Sequence, residues 1–525
     1  MLAIDGIVAF LALFVVFVFL GFYGGRWRRG DMSDLSEWAL AGRRLGTGLV
    51  WFLVGADLYT AYTFISVPSG VYAGFHNLPG TGSLYFFAVP YVALTFGIAI
   101  VVMPKMWKVS HEHGYITSAD FVRGTFDSRT LAMLVAVVGI IAELPYIALQ
   151  IVGMQAVLAA MLAGIGDVTT IAEVSLIISF IVLAAFTYTS GLRGVTLTAV
   201  MKDLLIFLGI IAVLAVVVSS GGFGAAFHTA TTSLSPYPGL NAGKAPEVYP
   251  TLPAVLINAY WSTFLISAVA LYLYPHAING VLSAQDPEKV RKSTSLLPFY
   301  GLGLGALAMF GVLAWGNAAA QTFLKQFPLA GTGVTQGLLV VPAMILSTLP
   351  SWFAGVALLG IFIGGLVPAA IMAISQANLL TRNIIKEFKP NLTPRGETTI
   401  SKWASVVFKF IALAFVFVVA STYAIQLQLL GGIIIVQTMP AVFLGLFFRR
   451  MNKHSLIVGL LAGEFVGIYL VELKNSFGIL YSSTYAVNPW GLLYIGLIAL
   501  AVNLAIVAVW SLVLPRKEIM GVQAA

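Results

Sequence analysis

Long apolar runs separated by short polar segments repeat from one end of the chain to the other. Thirteen are long enough to cross a membrane, near 4–24, 47–73, 84–103, 131–163, 169–189, 195–219, 253–274, 296–318, 354–381, 403–422, 425–448, 455–473 and 491–514. About 20 apolar residues in a helix span the hydrocarbon core, and runs well beyond that predict tilt or a break. In lipid a helix satisfies its own backbone groups, so the pattern predicts an all-α membrane protein with about thirteen transmembrane helices. Ile7 to Tyr23 lacks a basic leader and a small-residue cleavage site, so it reads as a retained helix.

Composition agrees with this reading. The chain of 525 residues is 59% hydrophobic and 9% charged, with mean hydropathy +0.96, far from a soluble domain. It has no cysteine, which excludes disulfides and thiolate metal sites. Basic residues set the topology. With the N-terminus outside and the C-terminus cytoplasmic, cytoplasmic segments carry 23 Lys/Arg and outside loops only Lys244, Lys325 and Lys474. The net charge of +8 is mostly this asymmetry rather than a sign of nucleic-acid binding. No extramembrane segment is long enough for a separate domain. The longest outside segments are 220–252, a polar loop, and 319–353. The run from Gly333 to Leu349 within the second reads as a short lid on the outer face.

Several motifs occur in order. Ser36 to Gly46 reads SEWALAGRRLG. Thr117-Ser118-Ala119-Asp120-Phe121 is followed by Arg123 and Phe126. Thr187 to Val195 reads TYTSGLRGV. Pro275-His276 precedes Ser283-Ala284-Gln285-Asp286, and Pro440 precedes Gly445 and Arg449-Arg450. Together these resemble the sodium:solute symporter family over about 36–470, with Pro275-His276 matching the loop after the sixth core helix. Within that family, Gly55 to Phe64 and Pro368 to Asn383 look most like the monocarboxylate permeases.

The resemblance implies a leucine-transporter-type fold, a ten-helix core of two inverted five-helix repeats with broken helices 1 and 6. Here the repeats are 47–219 and 253–448, preceded by an N-terminal helix and linker at 1–46 and followed by two helices and a tail at 449–525. Such folds bind substrate at the midplane, at the breaks. The substrate-facing candidates are Tyr59, Thr60, Thr63, Tyr146, Gln150, Asn258, Tyr260 and Trp261. In sodium-coupled relatives, carbonyls of core helix 1 and hydroxyls of core helix 8 hold a sodium ion. The carbonyl positions match Ala56 and Tyr59. The helix 8 stretch Gly364 to Pro368 places Val367 and Pro368 where the hydroxyls belong. Sodium needs oxygen ligands, so this site reads as vestigial. The family pattern TD-x-x-Q reads Thr198-Ala199-Val200-Met201-Lys202, with the aspartate lost and lysine in place of glutamine.

Lys202 is thus the candidate proton-coupling residue. A lysine on core helix 5 can point between helices 1 and 8 in other transporters of this fold class. The alternative is a lysine near the cytoplasmic end that snorkels. Asp203 follows at about 100° around the helix and reads as facing elsewhere, paired with a basic residue near the cytoplasmic side. Glu143 shares a face with Tyr146 and Gln150 and reads either as a second proton site or as a hydrogen-bonded acid. Asp57 reads as orienting the break or contacting the Lys202 region, and Lys409 as snorkelling. His111-Glu112-His113 lacks the spacing of a helical zinc motif, so no metal and no cofactor are expected.

The resulting expectation is a secondary transporter of the cell (inner) membrane that imports a small monocarboxylate with protons. The rivals are a sodium-coupled symporter for an amino acid such as proline and, from another class, an intramembrane enzyme or sensor.

Overall fold

The computed structural model describes residues 2–28, 30–77, 81–164, 168–219, 221–225, 228, 252–326, 335–418, 424–448, 451–475 and 482–513. Apart from one antiparallel hairpin, Thr484–Val487 with Gly491–Tyr494, the regular structure described is helical. Among the described residues, ten helical stretches are long and apolar enough to cross a membrane. The thirteen expected spans do not map one to one onto these. The expected 169–189 and 195–219 form two helical segments of the stretch Val168–Ser219, which meet at the non-helical Gly191 (φ 56°, ψ −146°). The first core span is interrupted, and of the last helix, Ile495–Val513, the apolar stretch described is Ile495–Trp510. Arg449-Arg450 and nearly all of the expected loop 220–252 lie outside the described residues.

Helix α1 (Ile4–Tyr23) packs on α6 (Val168–Ser219) and α10 (Ser351–Asn378). A Cβ on Gly355 would lie 2.0 Å from the Gly6 carbonyl, so the α1–α10 crossing needs glycine there. Helix α10 is buried without interruption from Ala357 to Asn378 and forms the central post of the fold.

The first core helix is in two pieces, α2 (Thr47–Gly55) and α3 (Val67–Asn77), joined by irregular backbone and a π-turn at Tyr62–Ser66. Its sequence explains the break. Pro68 has no amide to donate, and its ring crowds the carbonyl four residues earlier. The wider π-turn relieves that crowding. Polar side chains then take over the freed backbone groups. The Thr63 hydroxyl donates to Leu58 O, and the Tyr62 amide donates to Thr60 Oγ1 at 3.1 Å. Helices α4 (Ala88–His113) and α5 (Arg129–Met161) follow and then α6.

The sixth core helix is also in two pieces, α7 (Ile257–Leu271) and α8 (Pro275–Leu282), with non-helical Tyr272 to Tyr274 between them. This corrects the reading of Pro275-His276 as a loop. Pro275 opens a helix, where its missing amide costs nothing, and His276 is wholly buried. Each expected repeat therefore begins with a broken helix. Helix α9 (Pro298–Gly316) lies between α8 and α10. The chain closes with α11 (Pro394–Val418), α12 (Ala424–Ile435), α13 (Lys453–Asn475) and α14 (Ile495–Val513).

The expected outer lid is corrected as well. Its described part forms the helix Val340–Thr348, with Val340 to Ile345 buried, and Gly337 sits against Ser69 of α3. Lys409 does not snorkel. It is fully buried and bonds Ser405, one turn back, at 2.7 Å to the hydroxyl and 3.3 Å to the carbonyl.

The motifs are clamps between elements. Glu37 bonds both Arg44 (2.6 Å) and the buried Arg193. Trp38 Nε1 donates to Thr187 O at 3.1 Å, and the bend at Gly191 lies on the Trp38 carbonyl. Asp120 caps its own helix and accepts from Arg382 Nε (2.6 Å) and Asn383 Nδ2 (2.8 Å).

Candidate functional site

The break in the first core helix frees carbonyls, and Lys202 takes two of them. In an unbroken helix, Ala56 O and Tyr59 O would accept from residues 60 and 63, whereas here the Thr63 amide bonds Thr60 O instead. Lys202 projects from α6, just past the bend at Gly191. Its Nζ donates to Tyr59 O at 2.7 Å and to Ala56 O at 3.0 Å, and lies 2.9 Å from Asp203 Oδ1. Two carbonyls accept hydrogen bonds from the ammonium, and the Asp203 carboxylate beside them supplies an opposite charge rather than a third hydrogen bond. Lys202 and Asp203 are both wholly buried, so the snorkelling alternative does not describe this lysine.

Asp203 does not face away, as helical spacing suggested. Its Oδ1 pairs with Lys202, and its Oδ2 accepts from the Tyr300 hydroxyl at 2.6 Å. The four-carbon stem of lysine bridges neighbouring positions that a 100° step separates. Tyr300, on α9, carries no sequence signal of its own. Its ring lies 4.6 Å from that of Tyr59 and 5.4 Å from Phe207, which keeps the pair in apolar surroundings.

The helix 8 positions Val367 and Pro368 are wholly buried in α10 and offer no side-chain oxygen. Gly364, a turn earlier, faces Phe64 and Ile206. The residues at which the family resemblance implies a sodium shell thus combine two carbonyls with a bound ammonium, and no helix 8 hydroxyl.

Helix α5 holds the other side of the break. Gln150 Oε1 accepts from the Ala61 amide at 2.9 Å, while its Nε2 donates to Tyr146 O at 3.2 Å. The Tyr146 hydroxyl donates to Asp57 O at 3.4 Å. Thr60, Thr63, Tyr146 and Gln150 therefore meet at the break, and every residue from Leu53 to Ser69 is buried. Asp57 is buried too, with neither carboxylate oxygen hydrogen-bonded among the described residues.

The structure does not bring Asn258, Tyr260 and Trp261 to this place. They occupy the first turn of α7. Asn258 Nδ2 donates to Trp490 O beside the hairpin at 2.5 Å, and Trp261, 36% exposed, donates to Asn258 Oδ1. Their polar groups secure the end of α7, about four turns before its break. Glu143 lies elsewhere again. Its Oε1 accepts from the His276 amide at 3.0 Å and sits 2.8 Å from His276 Nδ1, and the Ser375 hydroxyl is 2.9 Å from both carboxylate oxygens. His276 and Ser375 were not legible as its partners, because they stand on α8 and α10, far along the chain.

Two interrupted helices packed around buried charges define a multi-pass membrane carrier. The chain belongs to the Sodium:solute symporter family, whose profile matches residues 38–463. It is similar to a protein of Rhizobium johnstonii named monocarboxylate transport permease protein, at 37% identity over 97% of this chain and 96% of that one. It is also similar to the uncharacterized symporter YodF of Bacillus subtilis, at 35% identity over 90% and 88% of the two chains. Among solved structures, a Na+-coupled sialic acid symporter matches with TM-score 0.70 at 14% identity, over 99% of this chain and all of that one, and shares the fold. The chain is thus a solute symporter, not an enzyme.

Proposed function

We propose that this symporter imports small monocarboxylates of the lactate, pyruvate and acetate kind, driven by protons rather than sodium. The observation that carries the coupling is the Lys202 ammonium on the Ala56 and Tyr59 carbonyls, paired with Asp203. A protonated Lys202 supplies the positive charge that a sodium ion would bring to the same carbonyls. It ties α6 to the broken first core helix, and loss of its proton loosens that tie. Val367 and Pro368 leave no oxygen shell for a metal ion. The similarity to a named monocarboxylate permease supports the substrate class.

The substrate carboxylate would be met at the break by Thr60, Thr63, Tyr146, Gln150 and freed amides of the first core helix, where half-helix dipoles favour an anion. The basic-residue asymmetry supports an inner-membrane orientation with the N-terminus outside.

Purified protein in liposomes tests the proposal. Labelled lactate, pyruvate and acetate should accumulate without sodium under an inward proton gradient. A strict sodium requirement with no response to pH overturns the coupling, and accumulation of proline but none of the acids overturns the substrate class.

A further inference from the structure

A second group of buried titratable residues lies at the other broken helix. Glu143 on α5 and His276 on α8 are both wholly buried. Glu143 Oε1 accepts the His276 backbone amide at 3.0 Å, and the His276 Nδ1 is 2.8 Å away. Ser375 of α10 completes the group at 2.9 Å. At 2.8 Å the carboxyl and the imidazole share one proton, whichever atom carries it. His276 Nε2 is buried with no hydrogen-bond partner among the described residues. The pair therefore exists in two states, one with the shared proton alone and net charge −1, the other with one proton more and no net charge.

The surroundings favour the second state. Around the pair stand Tyr146 on α5, Tyr274 at the α7–α8 break, and Asp57 at the first break. Asp57 interacts electrostatically with His276 and with Lys202. Helix α10 contributes Ser375 and no charged group there. Beyond Asp57 come Lys202 and Asp203 on α6. Of the three buried carboxylates Glu143, Asp57 and Asp203, only Asp57 and Asp203 interact with Lys202. Lys202 matches Asp203 at 2.9 Å, which leaves the others without a fixed counter-charge. An unpaired buried charge is costly, and a proton on the Glu143–His276 pair removes one.

We propose that Glu143 and His276 form a second proton-carrying site of this symporter, separate from Lys202. The pair joins elements that the transport cycle must move apart. Glu143 holds the first turn of half-helix α8 against α5 and α10, and an anion at a helix N-terminus is stabilised by the dipole. Gain of a proton by the imidazole cancels the negative charge that grips α8, and its loss restores the grip. Alternating access in folds with broken helices is movement of such elements around a fixed site. Each cycle would therefore carry one proton on this pair in addition to the one on Lys202.

This inference rests on the reading of the protein as a proton-coupled carrier, and the experiment separates the two. In proteoliposomes, the pH gradient that just balances a fixed monocarboxylate gradient gives the number of protons moved per substrate. Either single Gln variant leaves one titratable group, so the test is the double variant Glu143→Gln/His276→Gln, and the parent should require one proton more than it does. Ser375→Ala disturbs the same bonds but removes no titratable group, and should keep the parent's ratio. If the double variant does not transport, a pH dye reads protons taken up on substrate binding in detergent, with one fewer expected than in the parent. A parent with no proton response overturns the proton-coupled reading itself. A proton-coupled parent whose double variant keeps its proton count overturns only the second site.

Discussion

Lys202 and Asp203 are neighbours in sequence and partners in space. The ammonium lies 2.9 Å from Asp203 Oδ1, and Tyr300 holds the other carboxylate oxygen at 2.6 Å. The lysine donates its two hydrogen bonds to Ala56 O and Tyr59 O. One residue thus links α6 to the broken helix, and a second fixes its charge. Replacing Lys202 with Ala or Gln should sharply reduce pH-driven accumulation, leaving at most the drive from the Glu143–His276 pair and some exchange of substrate across the membrane, since exchange does not require the proton to leave. Uphill uptake under an imposed pH gradient checks this. Accumulation equal to the parent's would move the coupling role away from Lys202.

Asp203→Asn removes the counter-charge and leaves the ammonium on two neutral carbonyls. Breaking a buried pair in this way costs about 3–5 kcal/mol. The charged lysine then needs a higher proton concentration, so half-maximal uptake should move to lower pH. Tyr300→Phe removes a single hydrogen bond to a charged group, worth about 1.5–3 kcal/mol; it leaves more of the carboxylate's charge acting on Lys202 and should shift the profile the opposite way by less. Initial rates across external pH test both, and a shift toward alkaline pH in Asp203→Asn would contradict the arrangement.

Gln150→Ala leaves the Ala61 amide without its acceptor at the break. Substrate affinity should fall roughly ten- to a hundredfold, in line with about 1.5–3 kcal/mol for a hydrogen bond in a charged site. Thr60→Ala and Thr63→Ala should act in the same direction. Trp261→Ala, at the exposed start of α7, should leave affinity near the parent's. Binding titrations compare the four. An unaffected Gln150→Ala together with a crippled Trp261→Ala would place the site at the other end of α7.

Glu37→Gln tests the motif clamp. Arg193 is 1% exposed in its side chain and bonds Glu37. Loss of the carboxylate leaves a buried guanidinium unpaired, at about 3–5 kcal/mol. The variant should unfold at a clearly lower temperature in detergent, while protein that remains folded keeps the parent's substrate affinity. An unchanged unfolding temperature would mean that the clamp contributes little.

Much of this protein is written locally and can be read from the chain. Apolar run length sets the helices, because lipid forces each segment to satisfy its own backbone. Polar residues and Pro68 within an apolar run mark the first break. The missing oxygens at Val367 and Pro368 and the lysine at 202, on which the proposed proton coupling rests, are legible too, because ligand chemistry depends on residue type.

Tertiary structure decided the rest. Which residue a side chain meets depends on helices brought together from distant parts of the chain. Glu143 meets His276 and Ser375 only because α5, α8 and α10 converge, with 133 and 232 residues of sequence between the partners. Asn258, Tyr260 and Trp261 have the composition of a binding face, yet their height along α7 puts them at its start, far from the break. Lys409 looked like a snorkelling residue by sequence distance alone, and packing buried it beside Ser405. Asp203 had the clearest sequence clue, its adjacency to Lys202, but helical angles mislead where a long flexible side chain can fold back. Sequence fixes the residues' chemistry and the periodicity of each helix, whereas only packing determines where along each helix, and against what, that chemistry is placed.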